Sequence, residues 1–146
     1  MNEYEELLVL LARNDVRFIT VGGFACAFNG YVRPTEDVDI LVDNSPKNLS
    51  TLLHVLSNYN EGCAKELNVN DFTDEEGAFR IIEKFPIDIF VKMSGSYYKD
   101  FEKHIKYRSI ENHSIPFLDR PQLIRLKENS LREQDKMDVL KLKSLP

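Results

Sequence analysis

No stretch of this chain stays apolar over the roughly 20 residues that a bilayer-spanning helix needs, so a transmembrane anchor is not expected. Cysteine is scarce. Cys26 and Cys63 are the only two, they lack metal-motif spacing, and they read as reduced, buried or half-buried thiols. Histidine is scarce too: His54, His104 and His113 are scattered and fit neither a catalytic triad nor a zinc site. Basic residues are outnumbered, 19 Lys and Arg against 24 Asp and Glu, so overall charge does not favour nucleic acid. The acidic start, Met1-Asn2-Glu3-Tyr4-Glu5-Glu6, does not look like a signal or transit peptide, and a cytoplasmic location is expected. Internal repeats and low-complexity tracts are absent.

What remains is ordinary globular material. The 146 residues are 42% hydrophobic and 29% charged, the size of one domain. A chain this long buries about two-thirds of its unfolded surface and needs no disulfide or metal to fold. The net charge of −5 is divided unevenly: residues 1–91 carry 7 basic against 16 acidic residues, residues 92–146 carry 12 against 8. A local basic face in the second part remains open.

Periodicity gives the elements. Tyr4, Leu7, Leu8 and Leu11 mark a helix over 3–14, and Leu49, Leu52, Leu53 and Leu56 mark another opened by Ser45-Pro46. Val16–Val21, Val38–Val42, Phe79–Ile82, Ile87–Val91, Lys106–Ile110 and Ser114–Leu118 read as strands, the last two joined by an Asn112-His113 turn. Short helices are expected at Phe24–Asn29 and Tyr97–His104, and an acidic loop at Asp71–Gly77. Asp119–Asn129 and Leu131–Leu145 read as closing helices, the second with Ser130-x-x-Glu133 as a capping box. Together these predict a single α/β or α+β domain with helices packed on a mixed sheet.

Two features carry chemistry. Val21-Gly22-Gly23-Phe24-Ala25 places two glycines between a strand and a helix, where backbone N–H groups point outward and a phosphate can approach. Asp37 and Asp39, two apart at the start of an apolar strand, fall on one face of the sheet. No basic residue of that strand neutralises them. Taken singly, the glycines are an ordinary turn and the acids are solvated; together they suggest a hard divalent cation holding a nucleotide phosphate. Asp88, alone among Ile, Phe and Val, is a third acid, costly to bury unless paired or metal-bound, or else a strand-end carboxylate facing water. Tyr97, Tyr98 and Phe101 read as a core-facing helix side, with base stacking as the alternative, and Arg132 with Asp135 as a simple i, i+3 pair.

The run Gly22-Gly23-x-Ala25 through Gly30-x-x-Arg33-x-Thr35-x-Asp37-x-Asp39, with Asp88 on a later strand, resembles the DNA polymerase β-type nucleotidyltransferase superfamily. The likeness is to its small bacterial branch, the minimal nucleotidyltransferases and abortive-infection type toxins. Leu126-Lys127 and Arg132-x-x-Asp135-x-x-Asp138 resemble the helical tail of that branch. The resemblance implies a nucleotidyltransferase fold, with residues 1–118 as catalytic core and 119–146 as C-terminal helices. It implies Asp37, Asp39 and Asp88 as ligands of two Mg²⁺ ions, and Asp88 as acceptor of the attacking hydroxyl's proton. Gly22 and Gly23 would cradle the phosphates of a nucleoside triphosphate, with Arg33, Thr35 and Lys127 within reach. Many relatives carry serine where this chain has Gly23, so one hydroxyl contact is missing. The acceptor implied is a protein, a small molecule such as an antibiotic, or a tRNA end; a toxin role would add an antitoxin partner. A catalytically silent nucleotide- or protein-binding member is the alternative.

Overall fold

The computed structural model describes residues 1–146. Helix α1 (Glu3–Arg13) starts at Asn2, whose side chain accepts from the Glu5 N–H while the Glu5 carboxylate accepts from the Asn2 N–H. Strand β1 (Phe18–Val21) leads directly into α2 (Gly22–Phe28), and β2 (Val38–Val42) into α3 (Pro46–Ser57), capped by the Ser45 hydroxyl. Two short 3-10 turns, Cys63–Glu66 and Val69–Asp71, precede the hairpin of β3 (Phe79–Ile82) and β4 (Pro86–Phe90). A small ribbon, β5 (Lys92–Met93) with β6 (Ser96–Tyr97), and α4 (Tyr98–Phe101) follow. The hairpin β7 (Ile105–Ile110) and β8 (His113–Leu118) and the helices α5 (Arg120–Lys127) and α6 (Glu133–Ser144) complete the chain.

Six strands form one sheet in the order β3-β4-β2-β1-β8-β7. Pairing is mixed: β2 runs parallel to β4 and β1 parallel to β8, while the other neighbours are antiparallel. No helix is long and apolar enough to cross a membrane.

Both faces of the sheet are covered, which explains the near-continuous apolar runs of its central strands. Phe18, Val38, Ile40, Val42, Ile87 and Ile89 point toward α1 and α3, where Leu7, Leu8, Leu11, Leu52 and Leu56 are buried. Ile19, Val21 and Leu41 point the other way and pack with Ala25, Cys26, Phe101, Leu123 and Leu142. By the two-residue period, Asp39 and Asp88 belong to this second face.

Several boundaries differ from the sequence expectation. The helix expected over 131–145 begins only at Glu133, with Arg132 as an N-cap that has no side-chain bond. The expected Ser130–Glu133 box does not form: the Ser130 hydroxyl accepts from the Arg132 N–H at 3.1 Å and donates to Asp135 at 2.7 Å. The helix expected over 97–104 is one turn of α-helix followed by a 3-10 turn, Glu102–His104. The β7–β8 turn sits one residue earlier than expected. Glu111 and Asn112 have φ of 50° and 66°, the left-handed pair that a tight two-residue hairpin requires, and His113 already belongs to β8. Cys26 is buried, as expected, but Cys63 is exposed.

Candidate active site

Strand register brings the acids together. Asp39 of β2 pairs with Asp88 of β4, and Asp88 pairs in turn with Arg80 of β3. On the other side Asp39 faces Val21, the last residue before Gly22. One row across the sheet therefore reads Arg80, Asp88, Asp39, Val21. Asp37 lies on the same face, just ahead of β2. One carboxylate oxygen from each of Asp37, Asp39 and Asp88 lies within 4.8 Å of the other two.

Gly22 makes this approach possible. Its φ is +67°, and a Cβ there would overlap the Asp39 carboxylate. α2 begins at Gly22, earlier than the expected Phe24, so both glycines belong to the first turn, whose N–H groups have no acceptor within the helix. At Gly23 a Cβ would fall 2.5 Å from Thr35 Oγ1. The volume that a side chain at position 23 would need is already filled by Thr35.

Burial pushes the Asp39 carboxyl up to about 7, helped by the negative charges of Asp88 and Asp37. Asp88, only 6% exposed, is held by the Arg80 guanidinium through Nε to Oδ1 at 2.8 Å and Nη2 to Oδ2 at 2.9 Å. Arg80 Nη2 also reaches Asp37 Oδ2 at 3.1 Å. The site thus has a basic partner that the acidic strand's own sequence does not contain. It was open to inference: with Ile82 opposite Pro86, the hairpin register sets residue 80 against residue 88.

Arg33 and Lys127 do not stand free. Both hold Asp138, which is fully buried: Arg33 Nε and Nη2 lie 2.8 and 2.9 Å from its two oxygens, and Lys127 Nζ is 2.8 Å away. Gln134 donates to it as well, and Lys127 also reaches Asp135 at 3.1 Å. Burial works against the Asp138 charge, but these hydrogen bonds outweigh it and hold its carboxyl below the usual range. The network ties α5 and α6 to the loop before β2.

Two recesses flank Asp39. One, of about 270 Å³, is lined by Gly23, Arg33, Thr35, Asp37, Arg132 and Gln134. The other, of about 220 Å³, is half apolar and includes Gly22, Phe90, Met93, Leu123, Leu126 and Lys127. Arg132 borders both. Phe101 packs in the core as expected, while Tyr98 lies against Arg17, whose guanidinium is 5.4 Å from its ring centre. Neither Tyr97 nor Tyr98 lines the two recesses. All three clustered oxygens come from carboxylates, a donor set that could hold a hard cation such as Mg²⁺.

No family model and no curated protein matches the chain. Solved structures do. The lincosamide antibiotic adenylyltransferase LnuA, in its lincomycin-bound form, aligns with a TM-score of 0.66 at 15% identity, over 100% of this chain and 99% of its own. A protein assigned as a nucleotidyltransferase from Thermotoga maritima gives 0.60 at 18% identity, over 97% and 93%. An antigenic nucleotidyltransferase-like protein from Paracoccidioides brasiliensis gives 0.58 at 13%, over 96% of this chain and 75% of that one. An antitoxin partner finds no support among them. The mixed sheet, the glycine turn and the whole-length alignment agree: the chain has the nucleotidyltransferase fold.

Proposed function

We propose that this protein is a metal-dependent nucleotidyltransferase that moves a nucleoside monophosphate from a nucleoside triphosphate to a hydroxyl of a small molecule. The observation that carries this reading is the meeting of Asp37, Asp39 and Asp88 beside a glycine that leaves no room for a Cβ against Asp39. Three anions in one cluster, one with its carboxyl pushed up to about 7, need positive charge that a single guanidinium does not fully supply. Oxygen-only donors fit Mg²⁺, and Asp37, Asp39 and Asp88 would hold two such ions. Bound there, magnesium supplies charge neutralisation at the phosphate and makes the acceptor hydroxyl easier to deprotonate.

The chain's own groups do the rest. Gly22 and Gly23 let the phosphates come close to the first turn of α2. Arg33 and Thr35 line the recess on that side and border the triphosphate. Lys127 lines the other recess, with its charge shared with Asp138 and Asp135. A carboxylate oxygen of Asp88 receives the hydroxyl proton. The acceptor oxygen forms its bond to the α-phosphorus as the bond to the bridging oxygen breaks, and pyrophosphate leaves with that electron pair. Catalysis is alignment and electrostatics, without a covalent enzyme intermediate.

A small-molecule acceptor is favoured over a protein or a tRNA end by the half-apolar recess next to Asp39 and Gly22, whose size suits part of one small molecule. The whole-length likeness to an antibiotic adenylyltransferase supports the same class. The test is pyrophosphate release with Mg²⁺, each of the four nucleoside triphosphates, and a panel of hydroxyl-bearing antibiotics. Acceptor-dependent release that disappears in Asp39→Asn is expected. Nucleotide binding without release under any acceptor favours the catalytically silent alternative.

A further inference from the structure

The acids of the site are already engaged by a cation of the chain's own. Both oxygens of Asp88 accept from Arg80, and the same guanidinium reaches Asp37. The pairing is built by the register of β3 against β4, so it is not a chance meeting of long side chains. Arg80 is half exposed and β3 is an edge strand, so the guanidinium has solvent to swing into. Three carboxylates and one guanidinium leave the cluster at a formal charge of −2. One divalent ion balances that charge. A second overshoots it unless a triphosphate arrives with its own negative charge.

We propose that Arg80 is a resident counter-cation of this site: it holds Asp88 and Asp37 in ligating position in the free protein, weakens metal binding there, and so couples full metal loading to arrival of the nucleotide. This rests on the reading of the three acids as metal ligands. Arg80 is a positioning residue, because it acts through Asp88 and Asp37. Direct partners of metal ligands shift metal affinity by about 10- to 100-fold. Here the partner is a competing positive charge, so its removal strengthens binding. The same removal deprives a buried carboxylate of its partner and weakens the metal-free fold. A merely structural arginine would show only the second effect.

The test uses Mn²⁺ alone, titrated by electron paramagnetic resonance against the whole chain, with thermal unfolding in EDTA as a parallel readout. Arg80→Gln keeps an amide to donate to Asp88 and removes the charge; Arg80→Lys keeps the charge. Expected is a metal-free melting temperature that falls in Arg80→Gln while its Mn²⁺ affinity rises roughly tenfold or more. Arg80→Lys should keep the weak affinity of the parent. With a non-hydrolysable nucleoside triphosphate present, parent and Arg80→Gln should converge to within a few-fold. Unchanged or weaker Mn²⁺ binding in Arg80→Gln, with binding still abolished by Asp39→Asn, overturns the role of Arg80 and leaves the metal site standing. Mn²⁺ binding that Asp39→Asn does not reduce removes the metal site itself, and the role of Arg80 with it.

Discussion

Asp39 is where the demands of the site and of the fold conflict most, and replacing it with asparagine should make the protein more stable. Burial, with the charges of Asp88 and Asp37, raises its carboxyl from 3.8 to about 7. Below the lower value Asp39 is protonated in both folded and unfolded chains and costs nothing. Between the two, the folded chain keeps a proton that the unfolded chain has lost, so stability falls as pH rises. Above about 7 the carboxylate is ionised in both states and the full cost persists. At about 1.4 kcal/mol per pH unit of displacement, that cost reaches at most about 4 kcal/mol. Asp39→Asn removes it without changing shape. For a domain of this size about 1 kcal/mol moves the melting temperature by roughly 2–4 °C. In EDTA at pH 8 the variant should therefore melt above the parent, by up to roughly 8–16 °C, and at pH 4 the two should agree within about 2 °C. Circular dichroism melts at the two pH values, with Mg²⁺ added in a second series, are sufficient. Magnesium should raise the parent's melting temperature and leave the variant's unchanged. A variant less stable than the parent at pH 8, or equally displaced at both pH values, refutes the electrostatic reading of Asp39.

Three further outcomes are expected. Gly22→Ala forces an alanine to a φ of +67° and its Cβ into the Asp39 carboxylate, so it should lose at least about 1–3 kcal/mol of stability and all transfer activity, measured by urea unfolding and pyrophosphate release. Asp138→Ala removes the buried anion shared by the half-buried Arg33 and Lys127 and should cost up to about 3–5 kcal/mol, read by the same unfolding assay; a change under about 1 kcal/mol would count against that network. Gly23→Ser should be destabilising alone because of Thr35, and Thr35→Ala should relieve it, since the two nearest atoms, Oγ1 and Cγ2, are the ones removed; a double-mutant cycle should give a coupling of at least about 0.5 kcal/mol.

The elements that carry the acids announce themselves in the sequence. Strands covered on both faces need apolar residues at every position, so the single acids of Val38–Val42 and Pro86–Phe90 stand out as exceptions that demand a partner. The helix spanning Glu3–Arg13 is equally plain, because an exposed side sets off its leucine stripe. The tail is different. Ser130-x-x-Glu133 satisfies a capping pattern, yet the helix starts at Glu133, and the Ser130 hydroxyl accepts from the Arg132 N–H while its proton goes to Asp135. Arg33 and Lys127 look like free phosphate ligands until the fold places Asp138, 105 residues after Arg33, between them. Arg80 escapes for a related reason. Its partners lie on β4 and just ahead of β2, and only the stacking of β3, β4 and β2 in one sheet brings it to Asp88 and Asp37. Local pattern reveals which residues are out of place in their own segment; pairing across the sheet decides what neutralises them.

The central claim is that Asp37, Asp39 and Asp88 hold divalent cations against a triphosphate. Its most direct test is a crystal of the full chain grown with Mn²⁺ and a non-hydrolysable nucleoside triphosphate, examined by anomalous scattering. Manganese peaks within ligand distance of all three carboxylates, with Arg80 turned away from Asp88, are expected. Bound nucleotide with Arg80 still clamped on Asp88 and no manganese among the three acids would contradict it.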